Sequence, residues 1–252
     1  MKPILTIAFL CLATITTQAQ NFFFDDNNNL YGLVDATGRI IFGGKYYEAG
    51  EFKEGLAKVM SYDIYKKWGF IDGTGKEIIP LKYDAVTNFS QGLASIKINE
   101  KWGCIDKTGK EIIAPDYDSE IWFFEKAQEL AAVKQNGKYG FVDKVGKIII
   151  PVKYDFADNF NGGMARVKRD NKFGFIDKTG KEVVSCKYDD CWHFIDGLAS
   201  VKLDGKWGFV DKTGREMVPV KYDSVDNFIN GKAKVKLNGK ELYIDKSGKE
   251  VK

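Results

Sequence analysis

The stretch Lys67-Trp68-Gly69-Phe70-Ile71-Asp72-Gly73-Thr74-Gly75-Lys76-Glu77-Ile78-Ile79-Pro80-Leu81-Lys82-Tyr83-Asp84 decides the fold. Trp68 to Ile71 reads as a strand. Asp72-Gly73-Thr74-Gly75 fits a type I turn, with Asp at its first position and Gly at its fourth. Glu77-Ile78-Ile79 reads as the next strand, stopped by Pro80. The string recurs at Trp102-Gly103-Cys104-Ile105-Asp106 (ending at Gly109), Tyr139 to Asp143, Phe173 to Asp177, and Trp207-Gly208-Phe209-Val210-Asp211 (ending at Gly214). A first copy stands at Tyr31 to Asp35, and a degenerate last one at Glu241-Leu242-Tyr243-Ile244-Asp245. The turn glycines Gly38, Gly75, Gly109, Gly146, Gly180, Gly214 and Gly248 are spaced 37, 34, 37, 34, 34 and 34 residues apart. A fixed period of this length signals a repeat architecture.

Each unit reads as a three-stranded meander. In the unit from Leu198, the strand Leu198 to Leu203 meets Asp204-Gly205, a two-residue hairpin signal. Trp207 to Val210 follows, then the turn, then Glu216 to Val218 up to Pro219. The connector places apolar groups at Tyr222, Val225 and Phe228; a spacing of three is not a strand period, so a turn or short helical piece is expected. A unit of about 34 residues cannot bury a core alone, so each must stack on its neighbours, with the large aromatic of each copy as a core group. The expected fold is all-β: seven three-stranded meanders in an open, solenoid-like array. A closed, propeller-like ring is the alternative. No unit is split between the chain's ends, which favours the open form.

These residues resemble the WG-repeat (KWG-repeat) family, through K-W-G-F-I-D-x-T-G-K-E-I-I-P-x-K-Y-D, nearly intact from Lys67 to Asp84 and repeated in register. Trp68, Gly69, Asp72 and Gly75, with Trp102, Gly103, Asp106, Gly109, Trp207, Gly208, Asp211 and Gly214, are the repeat positions proper. The resemblance implies an interaction or scaffold role and transfers no catalytic motif. The chain departs from the pattern at Cys104, at Ser185-Cys186 and at Glu241-Leu242.

Composition narrows the class. Of 252 residues, 44% are hydrophobic and 29% charged, which excludes a disordered chain. The 38 basic and 35 acidic residues nearly cancel along the chain, against the basic stripe of a nucleic-acid binder. Residues 1–19 read as a signal peptide: a basic start at Lys2, an apolar run from Ile4 to Ile15, and Thr17-Gln18-Ala19 before the cut. Leu10 before Cys11 disfavours a lipoprotein signal. Residues 20–252 then form a single repeat domain, exported to the periplasm or beyond, with no membrane span.

The expected function is a non-enzymatic binding or scaffold module of the bacterial cell envelope. It acts through protein contacts on one face of the array, without cofactor or metal. A carbohydrate- or peptidoglycan-binding role is the alternative, and an enzyme with an unrecognised site the second. The turn aspartates read as caps of their own turns, and turn lysines such as Lys178 and Lys212 as solvated tips. Aromatics that break the pattern are the candidate contacts. Trp122 stands in the slot of Asn88, and Trp192 in that of Thr87 and Asp226; Tyr62 and Tyr65 lie in the first three-residue insertion. His193, the one histidine, completes the set, with no nucleophile or acid nominated beside it. Cys104, Cys186 and Cys191 fall in apolar slots; pairing of Cys186 with Cys191 stays open.

Overall fold

A computed structural model describes residues 21–123 and 129–251; the expected leader 1–19, with Cys11, lies outside them. Every regular element described is a strand, and the strands form seven small antiparallel sheets, none closed into a barrel. Sheets 1 to 7 occupy residues 21–46, 48–83, 85–117, 130–154, 156–188, 190–222 and 224–251. Contacts divide the chain into two compact units, Met1–Lys82 and Tyr83–Lys252.

The local signals act as read. In sheet 6, Leu198–Leu203 turns back on Lys206–Asp211 through Asp204 and Gly205, both with positive φ (50° and 78°) as a type I′ hairpin requires. The Gly214 N–H donates to the Asp211 carbonyl at 3.0 Å, closing the turn into the third strand.

Two expectations need correction. The third strand does not stop at proline. It runs Glu216–Tyr222 straight through Pro219, because the register shifts there. Between the pairs Trp207↔Tyr222 and Phe209↔Val218 the third strand carries extra residues, and in that bulge proline forfeits no ladder bond. The connector is not helical either. In five sheets it supplies a two-residue strand, such as Ala85–Val86 or Asp190–Cys191, on the outer edge of the next first strand. Those sheets therefore have four strands; sheets 1 and 4 have three.

The bulge explains the glycine of the repeat. A Cβ on Gly140 would stand 2.7 Å from the Ile150 carbonyl oxygen and 2.8 Å from Val152 Cα. On Gly208 it would stand 2.6 Å from the Val218 oxygen. Only glycine lets the third strand arch so closely over the middle one.

In the middle strand Phe209 and Val210 are adjacent, so they point to opposite faces, and both are buried. Sheet 6 must therefore be covered on both sides, whereas sheet 7 buries Ile244 and leaves Tyr243 50% exposed. Phe175, Val184 and Tyr188 of sheet 5 meet Cys191, Ala199, Val201 and Val210 of sheet 6. Phe209, Val218 and Tyr222 of sheet 6 meet Phe228, Ala233, Val235 and Ile244 of sheet 7 in the same way. Sheets 3 with 4, 4 with 5, and, in the first unit, 1 with 2 repeat the scheme. The connector phenylalanine seals it: Phe194 packs on Phe175 at 4.7 Å and Phe228 on Phe209 at 4.8 Å between ring centres.

Candidate interaction site

The repeat residues account for one another and leave little for a ligand. Trp68, Trp102 and Trp207 are half-buried, so the aromatic slot is the rim of the core and not its centre. Lysines cover the exposed ring faces: Lys58 Nζ lies 4.9 Å from the Trp68 ring centre and Lys202 Nζ 5.6 Å from that of Trp207. Asp72 Oδ1 accepts from the Thr74 hydroxyl (2.6 Å), the Thr74 N–H (2.9 Å) and the Lys76 N–H (3.1 Å). Asp106 and Asp211 repeat the pattern through Thr108 and Thr213. The threonine hydroxyl holds each of these carboxyls below its ordinary value. Among the described residues no group of three or more His, Cys, Asp or Glu side chains could hold a metal ion.

Two inter-sheet ties are invisible to local reading. The aspartates that follow the third strands of sheets 3, 5 and 6, Asp118, Asp189 and Asp223, each hold the hairpins of two successive sheets. Asp118 Oδ1 accepts from Lys101 Nζ (2.5 Å), before the sheet 3 tryptophan, and its Oδ2 from the Gly137 N–H (3.0 Å) in the sheet 4 hairpin. Asp189 does the same with Lys172 (2.5 Å) and the Asp204 N–H (2.8 Å). The lysine bond, foremost, lowers both carboxyls. On the turn side, lysines reach back to the preceding sheet: Lys212 Nζ to the Gly162 carbonyl (3.1 Å), Lys178 to Glu129 (3.1 Å) and Lys246 to Asp196 (2.7 Å). Lys178 and Lys212 are thus latches, not idle tips.

The three described cysteines are free thiols. Cys191 lies inside the interface of sheets 5 and 6, whereas Cys186 packs against that of sheets 4 and 5, on the other face of sheet 5. The sheet between them prevents pairing. Burial pushes the Cys191 thiol up to about 12 and those of Cys104 and Cys186 to about 11.

The off-pattern aromatics are exposed: Trp122 at 39%, Trp192 at 55%, Tyr62 at 64% and Tyr65 at 69%. The two tryptophans share one position in the fold. The Cys191 carbonyl, just before Trp192, accepts from Arg166 Nη1 at 2.7 Å. The Ile121 carbonyl, just before Trp122, accepts from Ser95 Oγ at 2.6 Å. Ser95 and Arg166 are both third residues of a first strand. The insertion after Asp118 therefore moves Trp122 out of the asparagine slot that its spacing suggests. Buried Ile121 and Phe123 on either side fix its direction.

Sheet 5, between the two, carries Asp158 at this position. Asp158 Oδ2 accepts from Arg166 Nε at 2.8 Å and lies 3.5 Å from half-exposed His193 Nε2. The Arg166 guanidinium sits 5.4 Å from the ring centres of both Phe156 and Phe173. Trp122, Asp158 and Trp192 thus mark one edge of sheets 4, 5 and 6, with His193 beside them. Sequence reading missed Arg166 and Asp158; the available signal was an arginine where sheets 3, 4 and 6 carry Ser95, Ala132 and Ser200 and sheets 2 and 7 carry Lys58 and Lys234. Tyr62 and Tyr65 belong elsewhere, on the hairpin of sheet 2 in the other compact unit. Such groups can bind; they hold no activated nucleophile.

A family model described as a WG containing repeat matches residues 31–63, 68–102, 102–139, 139–173, 173–207 and 207–240. No curated protein matches the chain. Among solved structures it is similar to BamB from Moraxella catarrhalis, at 11% identity over 84% of this chain and 75% of that one, with a TM-score of 0.36. It is also similar to a eukaryotic initiation factor (11% identity, 93% and 76% covered, TM-score 0.44). Hsv2p from Kluyveromyces lactis is a third such structure (10% identity, 77% and 72% covered, TM-score 0.37).

Proposed function

The chain belongs to the WG-repeat family, and from that premise we propose that it is a non-enzymatic scaffold of the bacterial cell envelope. It is exported by the segment 1–19 and holds a protein partner along the edge of sheets 4 to 6. One observation carries the reading. Two exposed tryptophans occupy the same fold position on either side of Asp158, where other units place Thr87 and Asp226. Exposed indoles on a backbone fixed by hydrogen bonds provide contact area at small ordering cost.

The test is capture from an envelope extract on the immobilised mature chain, with a Trp122→Ala/Trp192→Ala variant alongside. A protein retained by the parent chain and lost by the variant supports the scaffold role. Enrichment of glycan without protein, with a tryptophan emission shift on adding peptidoglycan fragments, replaces it with carbohydrate binding. Retention unchanged in the variant overturns the assignment of the edge.

A further inference from the structure

Three two-residue turns carry the same dipeptide in the same backbone conformation. Asn136-Gly137 and Asn238-Gly239 are the hairpin tips of sheets 4 and 7, and Asn230-Gly231 closes the turn between Ile229 and Lys232 that leads into sheet 7. Their asparagines have φ of 51°, 49° and 51°, and their glycines 77°, 82° and 78°. All three asparagines are exposed. The turns differ at the glycine nitrogen. The Gly137 N–H donates to Asp118 Oδ2 at 3.0 Å and the Gly239 N–H to Asp223 Oδ2 at 3.1 Å, each as part of an inter-sheet tie. The Gly231 N–H meets no acceptor among the described residues. Asn161-Gly162 is a different case, because Asn161 precedes a turn whose central residues are both glycines, at 58° and 85°.

That nitrogen is the nucleophile when an asparagine reacts with its own chain. Once deprotonated, Gly231 N attacks Asn230 Cγ. A C–N bond forms, the Cγ–Nδ2 bond breaks, and ammonia leaves with the proton. Water then opens the five-membered imide at either carbonyl, giving aspartate or isoaspartate. Nothing is oxidised or reduced; water is taken up and ammonia released. Glycine leaves the nitrogen open to approach, since it carries no Cβ. A carboxylate on the N–H opposes the attack in two ways. Its hydrogen bond must break first, and its charge disfavours a second negative charge on the nitrogen. Local opening of the hairpin tips also gives up a tie, which the Asn230-Gly231 turn does not have.

We propose that Asn230 is a site of spontaneous deamidation, and that the inter-sheet ties shield Asn136 and Asn238 from the same reaction. The product bears on the neighbouring latch. Asn230 lines, with Asp196, Asp245 and Lys246, the cleft between the turn of sheet 7 and the connector into sheet 6. There Lys246 Nζ donates to the Asp196 carbonyl and pairs with its Oδ2, both at 2.7 Å. A carboxylate at position 230 is a second claimant for that ammonium, and isoaspartate also lengthens the backbone within the turn.

The test is storage of the folded full chain in mildly alkaline buffer, followed by peptide mapping with mass spectrometry. Conversion at Asn230 should run about tenfold or more ahead of that at Asn136 and Asn238, the effect of one charge-assisted hydrogen bond. Two variants move the shield. Asp223→Ala should bring Asn238 up to the Asn230 rate and leave Asn136 slow; Asp118→Ala should do the reverse. Equal rates at the three sites in the parent chain overturn the proposal. So does an unchanged Asn238 in Asp223→Ala. A rise at all three sites in a variant, with loss of its circular dichroism signal, marks unfolding, and the parent comparison then decides.

Discussion

At the scale of the residue, the repeat is a set of solutions to close approach. Gly140 and Gly208 exist because the third strand's carbonyl leaves no room for a Cβ. Gly140→Ala should therefore cost about 1–3 kcal/mol, the usual penalty of overpacking. Phe209 is 1% exposed, and Phe209→Ala should cost about 3–5 kcal/mol. Trp207→Ala should cost less than Phe209→Ala, because its indole is a half-buried rim under Lys202. Urea denaturation of the three variants checks the order; a tryptophan loss equal to that of phenylalanine would restore the indole to the core. The turn aspartates set the acid limit. Their folded values lie below the ordinary 3.8, so the stability they confer is complete above that value and lost as pH falls through the lowered ones. The urea midpoint should stay level from about pH 7 to 5 and drop below about pH 4. A midpoint already falling between about pH 7 and 5 would mean that other groups dominate.

At the scale of the element, legibility followed the range of the interaction. The three main strands, the Asp204-Gly205 hairpin and the Asp-x-Thr-Gly turn were readable because each rests on dihedral preferences and neighbours within about four residues. The short strand Asp190–Cys191 was not, because its only reason to be extended is the edge of Leu198–Leu203, to which it pairs. Pro219 misled for a similar reason: a bulge set by the partner strand, not by the sequence around it, makes proline tolerable. Of the candidate contacts, Trp122, Trp192, Tyr62 and Tyr65 were found by their breach of a pattern. Arg166 and Asp158 escaped because their meaning lies in partners 25 and 8 residues away. The sheet 2 hairpin yields a prediction of its own. Replacing Met60 to Lys67 by the sheet 6 segment Lys202-Leu203-Asp204-Gly205-Lys206 removes the three extra residues and restores a two-residue turn. The graft should keep the parent circular dichroism, because the five-residue segment closes the same hairpin between the same two strands. Loss of the β signal would show instead that the long loop is needed for folding.

At the scale of the whole molecule, stability is a sum over interfaces of one type. Val133 belongs to the interface of sheets 3 and 4, and Val235 to that of sheets 6 and 7; the two clusters share no residue. The losses from Val133→Ala and Val235→Ala should therefore add to within about 0.5 kcal/mol. A much larger deviation would mean that the sheets between them pass strain along.

The Lys-to-Asp ties at the hairpins and the lysine latches at the turns have one further consequence, for how such a chain changes over generations. The third to sixth units carry the same tie lysine, tie aspartate and turn lysine at the same positions. The string Ile-Asp-Lys-Thr-Gly-Lys-Glu even occurs unchanged at Ile105 to Glu111 and at Ile176 to Glu182. Misaligned recombination between two such stretches would insert or delete whole units, and each new junction would find its fittings already in place. Length can then drift in modular steps while single positions such as Trp122 and Trp192 diverge freely, leaving inheritance of the frame separate from inheritance of the binding edge.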